Sequence, residues 1–329
     1  MKKIVQTMLA NKGRTMPILS FPAAQLLGVS VKELISSPTA QRQGMLAIAD
    51  RCPVAASLNM MDLSVEAEAF GAEVRFADDE VPTVTRGVLT DIGDAASLAV
   101  PTVGVGRTGV YIEGIRLAKE QITDRPVFCG VIGPFSLAGR LLDMSELMMA
   151  CYDSPDEVKS LLDKVTAFLT DYVKAFREAG ADGVVMAEPA AGLLPPALAE
   201  EFSLPYVQAV FEAVNEADFV LCYHNCGNAV VRMLDSLATL PADIFHFGNA
   251  IELKDTFAAL PADAVVMGNV DPVLLQNGTP EGVRAEVERV FNACHGFPNF
   301  MLSTGCDVPA AAKWENIDAY FERVTELYA

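Results

Sequence analysis

The chain contains no run of eighteen apolar residues, so nothing in it reads as a membrane span. It is also short of positive charge, with 24 Lys and Arg against 43 Asp and Glu and a net charge of −19. No Lys/Arg-rich run interrupts that excess. A surface of this sign repels phosphate backbones, which argues against a nucleic-acid partner. Charged residues make up 20% and apolar residues 51% of the chain, a balance that excludes disorder and can bury a large core. Low-complexity segments and internal repeats are absent. No Gly-rich dinucleotide turn follows an early strand. Its nearest imitation, Gly104-Val105-Gly106-Arg107-Thr108-Gly109, follows Pro101 rather than an apolar run and reads as a mobile loop.

The start, Met1-Lys2-Lys3-Ile4-Val5, imitates a signal peptide, but Asn11-Lys12-Gly13-Arg14 interrupts it before an apolar core region forms. The expected location is therefore the cytoplasm. There, seven cysteines do not make a disulfide framework. Cys52, Cys129, Cys151, Cys222 and Cys294 sit among apolar or small neighbours and read as small buried hydrophobes. Cys226 and Cys306 differ, because both lie in polar turns that contain glycine.

What is present is alternation. Short apolar runs at 54–58, 127–132, 183–186, 219–223, 244–247, 265–268 and 300–302 read as strands. Amphipathic stretches at 155–179, 196–215, 229–237, 253–260, 280–294 and 317–327 read as helices. Ser154-Pro155 and Thr279-Pro280 have the form of an N-cap followed by a first-turn proline, and Gly180 stands where the long helix should stop. Strands separated by helices imply βαβ units and a parallel sheet. With an eighth strand near 17–21 or 73–76, the set fits a closed (β/α)8 barrel with an N-terminal elaboration. A length of 329 residues suits such a barrel, which needs about 250, plus added segments. The expected layout is one domain over 1–329, with 1–50 as a helical extension and 71–110 as a lid or hairpin insertion.

Two strand ends carry the chemistry. The run 219–223 leads into His224-Asn225-Cys226-Gly227-Asn228, and 300–302 leads into Ser303-Thr304-Gly305-Cys306-Asp307. In a barrel both loops lie on the C-terminal face, where active sites are built. The two cysteines are eighty positions apart, too far for a zinc finger but within reach across a barrel mouth. One imidazole and two thiolates form a three-ligand zinc site with an open fourth position, the catalytic pattern. Thiolates favour zinc over magnesium or calcium.

These residues resemble a family when taken with Gly268-Asn269-Val270-Asp271-Pro272, Gly133-Pro134-Phe135 and Met61-Asp62-Leu63-Ser64-Val65-Glu66-Ala67-Glu68. The chain is similar to the zinc-dependent corrinoid:thiol methyltransferases, the methylcobamide:coenzyme M enzymes of the uroporphyrinogen decarboxylase superfamily. The similarity runs over nearly the whole chain and is weakest in the first forty residues and in 78–110. It implies a (β/α)8 barrel and a zinc ion on His224, Cys226 and Cys306. It further implies that a zinc-bound thiolate takes a methyl group from a methyl-Co(III) corrinoid and leaves Co(I). The acceptor that the resemblance implies is a small thiol, coenzyme M-like or homocysteine-like. The methylated corrinoid must come from a partner protein, because no Asp-x-His-x-x-Gly cobalamin motif occurs in this chain. Two alternatives stay open. One is a decarboxylase acting on a tetrapyrrole, although residues 14–28 hold a single Arg where that branch carries several and Arg107 is the main other candidate. The other is a non-catalytic barrel that binds a corrinoid or a thiol.

Further candidates follow from position. Glu188, just after the strand at 183–186, reads as a catalytic carboxylate, either a fourth zinc ligand or the base that takes the thiol proton, or else as a plain loop carboxylate. Asp62 matches the aspartate with which the decarboxylase branch contacts its substrate, and reads either as a substrate-positioning residue or as a cap for a helix near Ser64. Asn228, Asn269 and Asp271 sit at strand-to-helix junctions, where they either cap turns or support the zinc site. His246 reads as a hydrogen-bonded core histidine and His295 as a helix-end residue. Relatives more often carry an acidic residue where this chain has Gly248-Asn249.

Overall fold

Parallel sheets covered by helices on one face and packed side chains on the other have strands that are buried along their whole length. Seven segments meet that condition in the computed structural model, which describes residues 1–329. They are β1 (Ser57–Leu58), β4 (Val127–Ile132), β5 (Gly183–Ala187), β6 (Val220–Asn225), β7 (Ile244–Phe247), β8 (Val265–Val270) and β9 (Phe300–Thr304), and every residue in them is buried. β2 (Glu73–Arg75) and β3 (Thr83–Arg86) form a separate antiparallel hairpin. The large sheet is parallel in the order β1-β4-β5-β6-β7-β8-β9. Each strand therefore pairs with the next one along the chain, with no point at which the order reverses. That single winding curls the sheet as in a (β/α)8 barrel and not as in a doubly wound open sheet.

The eighth stave is the segment 15–18. Thr15 bridges Val54 in parallel, and its carbonyl accepts the Ala55 N–H at 2.7 Å. On its other side Ser303 Oγ donates to the Met16 carbonyl at 2.7 Å, and the Ile18 N–H donates to Thr304 Oγ1 at 3.2 Å. Of the two places where an eighth strand was expected, the first lies beside this closing segment. The second, 73–76, belongs to the hairpin.

Side chains alternate across each strand. Val220 and Cys222 of β6, Ile244 of β7, Val265 and Met267 of β8 and Met301 of β9 fill the barrel interior with Met16 and Ile18. Leu221, Tyr223, Phe245, Val266, Phe300 and Leu302 face the helices instead. The helix Lys3–Ala10 plugs the lower end with Val5 and Met8. Three further helices, Ala23–Leu27, Val31–Ser36 and Pro38–Arg51, complete the N-terminal elaboration.

Helix Pro155–Glu178 is followed by Gly180 at φ 100°, and helix Pro280–Cys294 is capped by Thr279, which accepts the Gly282 N–H at 3.2 Å. The last helix, Trp314–Tyr328, extends beyond its pattern, whereas three others are shorter than theirs or broken. The stretch 196–215 splits into Pro196–Phe202 and Leu204–Val214. Pro205 lacks the N–H that a continuous helix needs there, and its ring clashes with the preceding turn. The stretches 229–237 and 253–260 form short 3-10 turns, Asn228–Arg232 and Leu253–Thr256, with one short helix, Leu234–Leu237. Helix Arg107–Lys119, which the sequence pattern did not announce, starts at the glycine-rich stretch where Gly104 and Gly106 have positive φ. No helix is long and apolar enough to cross a membrane.

Barrel closure rests on few hydrogen bonds, so removing one should register. Ser303→Ala is expected to lower unfolding stability by about 1–3 kcal/mol, because the Met16 carbonyl loses its donor inside the wall. Urea denaturation checks this; an unchanged midpoint would show that the stave is held by packing alone.

Candidate metal centre

The interior alternation continues to the strand ends. After Val220 and Cys222 the next inward residue of β6 is His224; on β7 it is His246, on β8 Asn269 and on β9 Ser303. The mouth of the barrel is thus lined by polar groups above an apolar plug.

His224 is buried, while Cys226 and Cys306, one and two residues beyond their strands, are half-buried. The ligand-capable atoms of these three residues lie within 4.8 Å of one another. His224 Nε2 is 3.7 Å from Cys306 Sγ. A zinc ion with bonds of about 2.1 Å to nitrogen and about 2.3 Å to sulfur, at a tetrahedral angle, sets these two atoms about 3.6 Å apart. The His224–Cys306 separation therefore matches that spacing, and Cys226 lies within 4.8 Å of both. Hydrogen bonding from Cys306 pushes the Cys226 thiol down to about 7, against the effect of burial. Sharing that proton, together with burial, pushes Cys306 up to about 12. Burial and the neighbouring His224 hold His246 well below the usual histidine range.

Close backbone approach builds the centre. A Cβ on Gly248 would lie 2.6 Å from Cys226 Cα, and one on Gly305 would lie 2.6 Å from the Asn249 nitrogen. The Gly248-Asn249 turn is therefore wedged between the two cysteine loops, and side chains at either glycine would drive them apart. Asn269 pins this turn by donating from Nδ2 to the carbonyls of Gly248 at 3.0 Å and Ile251 at 2.9 Å. Asn225 fixes the other loop, with Oδ1 accepting the Gly227 N–H at 2.9 Å and Nδ2 donating to the Glu188 carbonyl at 2.9 Å. His246 Nε2 meets the Thr304 carbonyl at 2.6 Å, and its ring lies 4.6 Å from that of His224.

Glu188 is brought beside this group by its backbone, its N–H donating to the His224 carbonyl at 2.9 Å. Its carboxylate is engaged elsewhere. Oε2 accepts the Phe135 N–H at 3.0 Å, and Oε1 accepts the Ser136 N–H at 2.7 Å and the Ser136 hydroxyl at 2.5 Å. It thus occupies the N-terminus of helix Pro134–Leu141, where a negative charge is favoured. Gly133 leaves room for it, since a Cβ there would lie 2.1 Å from Oε2. Burial raises the carboxyl to about 7, with those three donors opposing.

Asp62 lies apart from the three ligands in a buried network. Its Oδ1 accepts the Ser64 N–H at 3.0 Å and hydroxyl at 2.6 Å; its Oδ2 accepts from Tyr111 at 3.0 Å and pairs with Arg107. Arg107 also donates to Glu68 at 2.6 Å. Asp271 caps helix Pro272–Asn277 through the Val273 N–H at 2.9 Å, and Asn228 is exposed at the start of its turn. Neither joins the cluster. His295 sits at the end of helix Pro280–Cys294, stacked on Phe291.

A cleft of about 720 Å³ opens beside Cys226 and Gly227 and is lined by Ser136, Arg140, Pro189 and Leu193 among others. Sequence reasoning stopped at Gly133-Pro134-Phe135 and missed the helix behind it, whose inner face forms this wall. A second cavity of about 580 Å³ lies at the opposite, lower end around Lys3, Arg14 and Arg125, remote from the cysteines.

The chain is similar to several known proteins. The family described as uroporphyrinogen decarboxylase (URO-D) matches residues 11–327. Methylcobamide:CoM methyltransferase MtbA of Methanosarcina acetivorans is 28% identical over 268 residues, covering 79% of this chain and 76% of the relative. Uroporphyrinogen decarboxylase of Alcanivorax borkumensis is 24% identical over 333 residues, covering 97% and 92%. A solved methyltransferase from Methanosarcina mazei shares the fold with a TM-score of 0.88, at 24% identity, over 99% of this chain and 98% of that one.

Asn269→Ala leaves two carbonyls of the wedge without a donor and is expected to cost about 2–3 kcal/mol of stability. Denaturation measures that loss, and faster alkylation of Cys226 by iodoacetamide would register the loosened turn.

Proposed function

The chain belongs to the uroporphyrinogen decarboxylase family, and within it we propose that this protein is a zinc-dependent methyltransferase moving a methyl group from a methylated corrinoid protein to a small thiol. The observation that carries this reading is the convergence of His224, Cys226 and Cys306 from two strand ends, with their ligand atoms within 4.8 Å of one another. One imidazole and two sulfurs form a soft, three-donor set suited to zinc, with a fourth direction left to substrate. Bound there, the ion supplies Lewis acidity that lets a thiol lose its proton at neutral pH.

The chain's own residues do the rest. Cys226 and Cys306 bring negative sulfur to the centre, which keeps a third sulfur electron-rich and nucleophilic. The Gly248-Asn249 wedge and the Asn269 bonds hold the two cysteine loops at ligand spacing, so little reorganisation accompanies substrate arrival. Glu188 acts on the site as a wall element, joining β6 to the helix that backs the cleft. Asp62 does the same on the far side through Arg107. The cleft beside Cys226 admits a small thiol and leaves the barrel mouth open to a methyl group presented from outside. Free cysteines throughout the chain accord with a cytoplasmic setting.

The decarboxylase alternative has less support. Recognition of a polycarboxylate needs several free inward-facing arginines, whereas Arg107 is paired with Asp62 and Glu68, Arg14 lies beside Asp124 at the lower end, and Arg140 alone lines the cleft unpaired.

Elemental analysis of purified protein is expected to give about one zinc per chain. Cys306→Ala should lose the metal and with it methyl transfer from methylcobalamin to a thiol. A metal-free wild type purified without chelator would sink the reading.

Zinc affinity should rise with pH in two regimes. Below about 7 both thiols must lose a proton on binding, so affinity changes about a hundredfold per pH unit. Above about 7 only the Cys306 proton remains, and the slope falls to about tenfold per unit. Competition against a chromophoric chelator measures both; an affinity flat with pH would exclude thiolate ligation.

A further inference from the structure

The cleft beside Cys226 holds an arginine without a counter-ion. Arg140 lies in the last turn of helix Pro134–Leu141 and is half-buried. Apart from Arg42 and Arg232, which do not line the cleft, every other arginine of this acidic chain pairs with a carboxylate. The other charges on the cleft wall are already matched. Arg86 bonds to Glu73, and the Asp143 carboxylate accepts the Ser145 N–H at 2.8 Å and the Glu146 N–H at 3.3 Å. Two carboxylates stand near Arg140 without bonding to it. Asp62 is saturated by Ser64, Tyr111 and Arg107. Glu66 takes the Ile132 N–H at 3.1 Å on Oε1, while its Oε2 has no hydrogen-bond partner. Burial works against the charge of Arg140, and those two carboxylates offset this only in part. A partly desolvated guanidinium that lacks its own partner is kept at a cost in stability, and its planar fork suits a bidentate oxyanion.

We propose that Arg140 is the specificity-determining residue of the cleft, taking the anionic end of a short thiol, a sulfonate or a carboxylate, whose sulfur reaches the His224/Cys226/Cys306 centre. This rests on the thiol-acceptor reading above for the sulfur end only. The two ends sit in one cleft, since Arg140 and Cys226 line it together. A neutral thiol of equal length leaves the guanidinium desolvated and unanswered, whereas an anionic one answers it with charge-assisted hydrogen bonds. Discrimination between the two is the signature of the subsite.

The test uses zinc-loaded wild type, Arg140→Gln and Arg140→Lys, with dissociation constants from calorimetry for 2-mercaptoethanesulfonate, 3-mercaptopropionate and neutral 2-mercaptoethanol. Wild type should prefer an anionic thiol by about tenfold or more. Arg140→Gln should lose that preference while binding 2-mercaptoethanol as wild type does, and Arg140→Lys should keep part of it. The stronger of the first two thiols identifies which oxyanion the site takes. Ethanesulfonate and propionate, which lack sulfur, report the tail subsite separately by ligand-observed NMR. Their binding to wild type and not to Arg140→Gln supports the proposal even if metal analysis finds no zinc, in which case only the thiol-activation reading falls. Equal binding of the anionic ligands by wild type and Arg140→Gln, or no preference for them in wild type, overturns it.

Discussion

His246 stands on β7 yet bonds to the Thr304 carbonyl of β9 at 2.6 Å, skipping β8, which lies between them in the sheet. This contact is made through the barrel interior, so it exists only because the sheet has curled. The same ring lies 4.6 Å from that of His224, and Ser303 Oγ is 3.2 Å from its Nε2. One side chain therefore touches both strand ends that supply the three donors. Burial suppresses its protonation, and a neutral imidazole can sit beside His224 without repelling it. The spacing of the candidate metal centre is supported by this bridge, because His224 and Cys306 belong to strands with two others between them.

Around the bridge, rigidity comes from small residues and saturated polar groups. Gly248 and Gly305 allow backbone-to-backbone approach that a single methyl would forbid, and Asn269 and Asn225 supply hydrogen bonds to the turns so formed. Glu188 and Asp62 are buried carboxylates with three or more donors each. Such groups are expensive to bury alone and tolerable when fully bonded. Each also ties a ligand-bearing or cleft-lining element to a helix behind it. Against that background Arg140 stands out as a cleft-lining charge with no ion-pair partner, and Glu66 Oε2 is likewise unbonded.

The N-terminal elaboration contributes to the same economy of structure at the other end. Its first helix plugs the lower mouth with Val5 and Met8, and the segment after it completes the wall between β1 and β9. The polar groups of the barrel interior thereby lie at the upper rim, where the strands end and loops can approach one another.

Much of this was legible in the sequence for local reasons. Apolar runs bounded by turn residues marked the strands, since a strand buried on both faces is mostly apolar. The pair of glycine-containing turns with soft ligands marked His224, Cys226 and Cys306, because their placement after two strands already put them on one face of a barrel. Helix Pro280–Cys294 could be read from its cap to its end, whereas Pro205 broke a pattern that periodicity alone left whole. What the sequence left undecided was the partner of each polar group. Glu188 read equally well as ligand, base or loop carboxylate until the helix at Pro134 came to rest against it. Arg107 sat in what looked like an irregular loop until it met Asp62 45 positions away. Arg140 carried no local signal at all. Periodicity fixes which way a side chain faces, because that is set by the backbone repeat. What it then meets depends on how far the sheet curls and which helix lies behind it, and only the folded chain as a whole decides that.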